Sequence, residues 1–211
     1  NIYKKCLEEG YDVTKEWIPV VPAQHYFMGG VYVDGNSHTS MKHLYAAGEC
    51  TRTGLHGGNR LASNSLLEAI VYAEAAAQHS LPLIDNINWC DEIPEWNDEG
   101  TTLNEEMVLI TQSEKEVNQI MQAYVGIVRS NLRLKRAFDR LELIYKETES
   151  LFQRSVVSKE ICELRNIVNT AYLVIKSAMQ RKESRGLHYT IDYPKKNEHI
   201  SLYDVEELKK L

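Results

Sequence analysis

The sequence predicts an α+β fold in which a glycine-rich α/β segment, residues 1–85, precedes an antiparallel three-helix bundle over residues 103–180. The first segment holds the glycine pairs Gly29-Gly30 and Gly57-Gly58 among short runs of β-branched residues, which is typical of strands and turns. The second segment shows three apolar stripes at helical spacing, joined by short connections. The two parts therefore differ in architecture.

Three short apolar runs in the first segment are expected to be strands. Ile18–Val21 and Val31–Val33 are rich in β-branched residues and are flanked by proline or glycine. Leu44–Gly48 ends in glycine, as a buried parallel strand often does before a ligand-binding loop.

A helix is predicted over residues 64–78. The polar cluster Ser63–Ser65 can cap its first turn, and the following residues include no Gly or Pro. Ser65 and Leu66 should therefore lie in the first turn. Because the run is apolar on nearly every face, we expect the helix to be buried.

The second segment reads as three helices. A capping box, Ser113-x-x-Glu116, is expected to start the first of them. Residues 86–102, rich in Asp, Asn, Glu and Pro, are interpreted as the linker that precedes the helices. The three stripes consist of Val117, Ile120, Met121, Tyr124, Val125 and Val128; Leu134, Ala137, Phe138, Leu141 and Ile144; and Ile161, Leu164, Val168, Ala171, Tyr172, Ile175, Ala178 and Met179.

The composition narrows the function classes. With 43% hydrophobic and 26% charged residues, the 211-residue chain is typical of a globular protein of one or two domains. A net charge of −6 offers no basic surface to nucleic acid or to an anionic membrane. The four cysteines are widely spaced and no apolar run is long enough to cross a bilayer. We therefore expect a cytoplasmic protein with reduced thiols and no metal site.

One stretch of the first segment carries the polar groups suited to a ligand. Glu49 follows an expected strand, where open α/β sheets bind ligands and a carboxylate commonly accepts hydrogen bonds from hydroxyl groups. The glycines of loop 54–60 permit close approach, and Arg60 offers a planar guanidinium that suits a carboxylate. The amides at the helix start, near Ser65, favour negative charge. His25 precedes another glycine pair.

The order and spacing of these features resemble the flavoprotein superfamily of succinate dehydrogenase and fumarate reductase. Residues 22–31 read P-A-Q-H-Y-F-M-G-G-V, which is similar to the P-x-x-H-Y-x-x-G-G-[VI] segment of that superfamily. Residues 44–49, L-Y-A-A-G-E, and 56–68, H-G-G-N-R-L-A-S-N-S-L-L-E, are similar to its L-Y-A-x-G-E and H-G-[AG]-N-R-[LM]-x-x-N-S-L-L-[ED] segments. Residues 183–189, E-S-R-G-L-H-Y, resemble its C-terminal signature, and T-G-L-H-G at 53–57 resembles the L-aspartate oxidase branch.

The resemblance implies a role for five residues. Glu49 would hold FAD through its ribityl or adjacent hydroxyls. Ser65 and Leu66 would present backbone N–H groups to the pyrimidine side of the flavin. His25 and Arg60 would bind a carboxylate of L-aspartate or of another C4 dicarboxylate.

The resemblance also implies a reaction and its partners. In the L-aspartate oxidase branch, FAD is held without a covalent bond and takes a hydride from Cα of L-aspartate, which gives iminoaspartate. Oxygen or fumarate then accepts the electrons. The product feeds quinolinate and NAD synthesis, so quinolinate synthase is an expected partner.

The family's domain order implies a division of this chain. We expect a capping-domain tail, the C-terminal part of the FAD-binding domain, a linker, the three-helix bundle and a C-terminal tail at 1–17, 18–85, 86–102, 103–180 and 181–211. The family's G-x-G-x-x-G phosphate loop does not occur in the sequence. Its catalytic arginine is expected upstream of residue 1, so no catalytic residue is assigned here. We expect this chain alone to bind FAD very weakly and to be inactive.

Several alternatives stay open at this point. A soluble fumarate reductase or succinate dehydrogenase flavoprotein would also use His25 and Arg60 on a C4 dicarboxylate. A non-enzymatic docking module, with residues 100–180 as its partner surface, fits the helical stripes equally well but leaves the flavin-site pattern unexplained. His56 either shapes its loop or contacts flavin or substrate. Arg185 and His188 either tie the tail onto the bundle or line the outer edge of the flavin.

Overall fold

The computed structural model describes residues 1–88, 90, 92–103 and 107–198. Residues 89 and 91 of the expected linker, 104–106 of the expected bundle and 199–211 of the expected tail lie outside the described residues. The chain divides into two compact units. The first consists of Asn1–His56 and Arg60–Ile84, and the second consists of Gly57–Asn59 and Asp85–Leu211.

The first unit contains helix α1 (Ile2–Glu8), strands β1 (Val31–Tyr32) and β2 (Thr51–Arg52), and helix α2 (Ser65–Ile84). The two strands are parallel, with Val31 opposite Thr51. They approach closely at Gly30, where an added Cβ would lie 2.2 Å from the carbonyl oxygen of Cys50. That oxygen accepts a hydrogen bond from Val31 N at 2.9 Å, so glycine at position 30 permits the strand pairing.

Two of the three expected strands are wrong. Ile18–Val21 form no strand, because Pro19 and Pro22 supply no N–H group and the run lies exposed. Leu44–Gly48 is not a strand either, although Tyr45 makes an isolated bridge to a neighbouring turn. His43 and Gly48 have φ angles of 64° and 84°, and these left-handed turns limit the extended run. The strand expected at Val31–Val33 is confirmed to within one residue.

Helix α2 confirms the predicted start but not the predicted burial. Ser65 is its first residue, and the helix ends at Ile84, beyond the expected residue 78, with Pro82 inside it. Four apolar side chains of its first two turns are 56–67% exposed, and among its residues Glu68 is the buried one. Two strands of two residues each offer too little apolar surface to bury a helix of 20 residues. The exposed four are Leu66, Leu67, Ile70 and Val71.

The second unit contains helix α3 (Met107–Tyr124), strand β3 (Val128–Arg129), helices α4 (Asn131–Arg154) and α5 (Lys159–Gln180), and strand β4 (Tyr189–Thr190). β3 and β4 are parallel, with Val128 opposite Tyr189. Ser130 and Ser158 cap α4 and α5 by accepting the third amide of each helix, so these helices begin where a polar side chain replaces the missing backbone acceptor.

The three long helices contact one another and share one hydrophobic core, to which each predicted stripe contributes. The mixed α and β character of the chain is confirmed, whereas the antiparallel arrangement of the helices stays a prediction. The capping box expected at Ser113 is wrong, because Ser113 lies inside α3. The buried core consists of Ile110, Val117, Ile120, Val125, Leu134, Ala137, Leu141, Ile144, Leu151, Ile161, Leu164, Val168, Ala171, Ile175 and Ala178.

Candidate functional site

A buried carboxylate, that of Glu68, joins three segments of the first unit. Its side chain is 1% exposed. Tyr26 Oη donates a hydrogen bond to Glu68 Oε2 at 3.0 Å, and the Thr53 hydroxyl donates to Glu68 Oε1. His56 Nε2 lies 2.7 Å from Glu68 Oε2. Both oxygens of a carboxylate shielded from water are thus hydrogen-bonded, which offsets the cost of burying it.

Tyr26 stands between this carboxylate and an arginine. The guanidinium carbon of Arg60 lies 4.6 Å from the centroid of the Tyr26 ring, within the range of a cation–π contact. The His56 ring meets Tyr26 edge to face, at 5.4 Å and 89°. Burial, followed by the hydrogen bond to Glu68, raises the pKa of Tyr26 above its ordinary value. The phenol therefore stays protonated and can donate to Glu68 at neutral pH.

Arg60 has a buried donor without a partner. Its side chain is partly buried, and its Nε atom is shielded from water yet has no hydrogen-bond partner in the part of the chain that the structure describes. Arginine normally satisfies such a group with a carboxylate, which its planar fork matches with two parallel hydrogen bonds. The geometry therefore suits a carboxylate ligand at Arg60.

Glu49 lies at the surface directly after Gly48, which has a φ angle of 84°. One of its oxygens, Oε1, accepts a hydrogen bond from Phe27 N at 3.0 Å. That bond holds the carboxylate in place, and an exposed carboxylate has further lone pairs for hydroxyl donors.

The first turn of α2 presents backbone amides. The helical hydrogen bonds of α2 begin with the bond from Glu68 N to Asn64 O, at 3.1 Å. The amides of Ser65 and Leu66 precede it and, as at any helix start, have no acceptor one turn earlier. Leu66 is exposed, so this end of the helix can meet a ligand that carries negative charge.

Two of the residues that the sequence singled out, Arg60 and Glu49, contact the neighbouring residues Tyr26 and Phe27. Within residues 26–27, Tyr26 contacts Arg60 and Phe27 bonds to Glu49. Tyr26 also bonds to Glu68, in the first turn of α2. His25 is adjacent in the chain, and its side chain is exposed.

Sequence reasoning missed the part that Glu68 plays. The signal was present, because an acidic residue stands at the start of an otherwise apolar run, and such a residue is either exposed or paired. Its partners Tyr26 and Thr53 lie 42 and 15 residues away, so spacing alone did not connect them. Of the two interpretations of His56, the structure favours loop shaping, since its Nε2 is engaged with Glu68.

A second buried carboxylate, that of Glu183, organises the tail of the second unit. Its side chain is 1% exposed and bonds to Arg185 Nε at 3.0 Å and to the backbone N of Asn197 at 2.9 Å. The Arg185 hydrogen bond, assisted by the other positive charges, lowers the pKa of Glu183 to about 2. In the turn that follows, Leu187 N donates to the carbonyl oxygen of Gly58 at 3.0 Å.

His188 is buried in the same unit and bonds to two protein groups. Arg129 Nη1 lies 2.9 Å from His188 Nδ1, and His188 Nε2 lies 3.3 Å from the carbonyl oxygen of Arg181. Because a guanidinium can only donate, Nδ1 accepts and Nε2 carries the proton. Burial, followed by the charges of Arg129 and Arg181, lowers the pKa of His188 to about 4. These contacts favour the interpretation in which His188 and Arg185 hold the tail.

The described ranges contain neither a cluster of metal ligands nor a helix suited to cross a membrane. No group of three or more His, Cys, Asp or Glu suited to a metal ion occurs there. No helix among these residues is long and apolar enough to cross a membrane. The four cysteines are free thiols.

Two family models match the chain. One is described as "FAD binding domain" and matches residues 2–66, which include Glu49 and Arg60. The other is described as "Fumarate reductase flavoprotein C-term" and matches residues 114–205. The first model thus covers Tyr26, Thr53 and His56 but ends two residues before Glu68, and the second covers most of the helical unit and its tail.

Known proteins match across nearly the whole chain. An L-aspartate oxidase of Pseudomonas aeruginosa is 49% identical over 92% of this chain and 36% of the relative. One of Vibrio cholerae is 46% identical over the same shares. The structure of E. coli quinol fumarate reductase matches with a TM-score of 0.72 and 27% identity, over 94% of this chain and 37% of that one.

These matches indicate the class of protein: the chain is similar to flavoproteins that include fumarate reductase. Among the curated relatives it is similar to L-aspartate oxidases, as the T-G-L-H-G segment predicted. The chain spans about a third of the length of the curated relatives that it matches.

Proposed function

We propose that this chain is the C-terminal part of an FAD-dependent L-aspartate oxidase, which converts L-aspartate to iminoaspartate with oxygen or fumarate as the electron acceptor. The proposal is supported by 46–49% identity to L-aspartate oxidases over 92% of the chain. Iminoaspartate would enter quinolinate and NAD synthesis, with quinolinate synthase as the partner enzyme that consumes it.

The observation that carries the proposal is that Nε of Arg60, whose guanidinium stacks on the Tyr26 ring, is buried and has no hydrogen-bond partner among the described residues. In the proposed enzyme, Arg60 binds one carboxylate of L-aspartate through its planar fork. His25, which is exposed and precedes Tyr26, binds the same carboxylate. The second carboxylate and the amino group are bound by residues outside this chain.

The described residues also fit FAD. When bound, FAD accepts the two electrons removed from the substrate. Glu49 would hold the hydroxyls of the cofactor with its exposed carboxylate, whose other contact is the amide of Phe27. Ser65 and Leu66 would direct their first-turn amides at its anionic edge.

The proposal includes a domain order. Residues 1–17 end a capping domain, 18–85 end the FAD-binding domain, and 86–102 link them to an antiparallel bundle at 103–180 and a tail at 181–211. The G-x-G-x-x-G loop is absent from the sequence, so we propose that this polypeptide by itself does not oxidise L-aspartate. We place the enzyme in the cytoplasm, where free cysteines such as these four persist.

The experiment that tests the function is a substrate comparison with the full-length enzyme that contains this chain. L-Aspartate should reduce the bound flavin in the absence of oxygen, and the iminoaspartate formed should be detected as oxaloacetate and ammonia, the products of its hydrolysis. Succinate under the same conditions should leave the flavin oxidised. Reduction by succinate and none by L-aspartate would overturn the proposal.

The second candidate is a soluble fumarate reductase or succinate dehydrogenase flavoprotein. The structural match to E. coli quinol fumarate reductase favours it, although at 27% identity against 49% for the oxidases. Arg60 would serve that reaction equally well, because succinate and fumarate carry the same pair of carboxylates. The substrate comparison separates the two candidates.

A further inference from the structure

We propose that Glu68 is a positioning residue for substrate binding, because it holds Tyr26 and through Tyr26 fixes the guanidinium of Arg60. The inference rests on the proposed function in one respect: it takes Arg60 as the group that binds a substrate carboxylate. Glu68 is 1% exposed at its side chain, so it acts through its neighbours and not by touching the substrate.

Tyr26 makes one contact with its hydroxyl and a different contact with its ring. Its hydroxyl donates to Glu68 at 3.0 Å, while its ring lies 4.6 Å below the guanidinium carbon of Arg60. A phenol that is anchored at its hydroxyl cannot swing about its Cα–Cβ bond without breaking that hydrogen bond. The ring face, and with it the preferred place of the guanidinium, is therefore set by Glu68.

Other side chains occupy the carboxylate of Glu68 and keep it from pairing with Arg60. A buried carboxylate close to an arginine commonly captures it in a bidentate ion pair. Here both oxygens of Glu68 already accept hydrogen bonds from other side chains, those of Tyr26, Thr53 and His56. The arrangement leaves the Nε donor of Arg60 without a hydrogen-bond partner among the described residues, and a carboxylate that reaches the guanidinium would satisfy it.

The hydrogen bonds of Glu68 connect segments that are far apart in the chain. Tyr26 and Glu68 are 42 residues apart, and His56 and Glu68 are 12 residues apart. One carboxylate therefore sets the relative positions of the segment around residue 26, the loop before residue 57 and the first turn of α2. A substitution that removes the carboxylate of Glu68 should therefore disturb the orientation of the Arg60 guanidinium.

The test compares Tyr26→Phe and Glu68→Gln in the full-length enzyme with the wild type. Tyr26→Phe removes the hydroxyl but keeps the ring beneath Arg60. The matched control is Tyr45→Phe, which also removes one half-buried tyrosine hydroxyl from the unit, in that case the one 2.7 Å from His79 Nδ1. The readouts are KM and kcat, together with the dissociation constant of succinate, a C4 dicarboxylate, from isothermal titration calorimetry.

We expect Tyr26→Phe and Glu68→Gln each to raise KM and the succinate dissociation constant about tenfold, with kcat within about threefold of wild type. Tyr45→Phe should leave both constants unchanged. The rise in the dissociation constant should nearly vanish when Tyr26→Phe is introduced into Arg60→Lys, because the two changes act on one contact.

The outcomes separate this inference from the proposed function. Lower thermal stability with unchanged KM and dissociation constant would reduce Glu68 to a structural residue and overturn the inference. Additive effects of Tyr26→Phe and Arg60→Lys would also overturn it. If Glu68→Gln does not fold, Tyr26→Phe alone decides. If succinate replaces L-aspartate as substrate, the proposed function fails, while the calorimetric comparison still tests the role of Glu68.

Discussion

His188 should make the second unit less stable in acid, and the substitution His188→Gln should remove that dependence. The folded pKa of His188 is about 4, against an ordinary value of 6.5, so the folded protein binds this proton less readily than the unfolded chain does. The stability that comes from neutral His188 is fully present above pH 6.5 and is lost as the pH falls towards 4. The pKa of His188 is lowered first by burial and then by the charges of Arg129 and Arg181, and protonation of Nδ1 would also end its bond from Arg129.

The size of the effect follows from the two pKa values. Between about pH 7.5 and about pH 5, proton linkage predicts a loss of about 2 kcal/mol in the free energy of unfolding. In His188→Gln, the side-chain oxygen can accept from Arg129 and the amide can donate to the carbonyl of Arg181, as the imidazole does. The variant keeps both bonds and has no group that titrates.

Urea unfolding followed by circular dichroism at the two pH values gives the measurement. The wild-type chain should lose about 2 kcal/mol more than His188→Gln between them. Because the other titrating groups are common to both proteins, the difference between the two losses isolates His188. Equal losses in the two proteins would refute the assignment of Nδ1 as an acceptor and the lowered pKa with it.

Three further predictions concern packing. Leu141→Ala, in the core, should cost about 2–5 kcal/mol in the free energy of unfolding, whereas Leu143→Ala, on the exposed side of the same helix, should cost under about 0.5 kcal/mol; equal costs would contradict the core assignment. Gly186→Ala places a Cβ 2.1 Å from a backbone oxygen and should lower the melting temperature well below that of Gly100→Ala, which has a left-handed φ but open space. Native-state hydrogen exchange should be slower in helices α3, α4 and α5 than in residues 30–70. The reverse order would contradict a helical unit that is stabilised by local contacts.

The helical unit was largely predictable because its signal is local. Leu134, Leu141 and Ile161 recur at helical spacing, and their burial follows from that spacing wherever two further stripes are present to meet them. The start of α3 was not predictable in this way. Ser113 and Glu116 form a capping-box pattern, yet they lie inside the helix, because such a pattern also suits its solvent-exposed face.

The strands were less predictable because a strand depends on a partner. Ile18–Val21 have strand-forming side chains but no partner strand within the described residues, and two prolines remove donors. Val31 does find a partner, at Thr51, through the close approach that Gly30 allows. No spacing rule connects positions 20 residues apart in parallel strands.

The site was half predictable. Its motifs singled out Arg60 and Glu49 because a family's spacing is preserved in the sequence, and the structure gives both a defined place. The contacts that place them were not predictable. Tyr26 meets Glu68 because the fold closes a separation of 42 residues, and the burial of Glu68 depends on that closure. Leu66 is exposed, although the apolar residues around it in the sequence predicted that it would be buried.

The most direct test of the account is the kcat/KM of Arg60→Lys with L-aspartate in the full-length enzyme. Lysine keeps the charge but loses the planar two-pronged contact with a carboxylate, which should cost on the order of 1.5–3 kcal/mol, or about ten- to a hundredfold in kcat/KM. The control is Arg52→Lys, at the other arginine of this unit that stacks on a tyrosine, 5.3 Å from the Tyr32 ring. A large loss in Arg60→Lys with wild-type kcat/KM in Arg52→Lys is the predicted result. Wild-type kcat/KM in Arg60→Lys would contradict the account and leave Arg60 a structural residue of its loop.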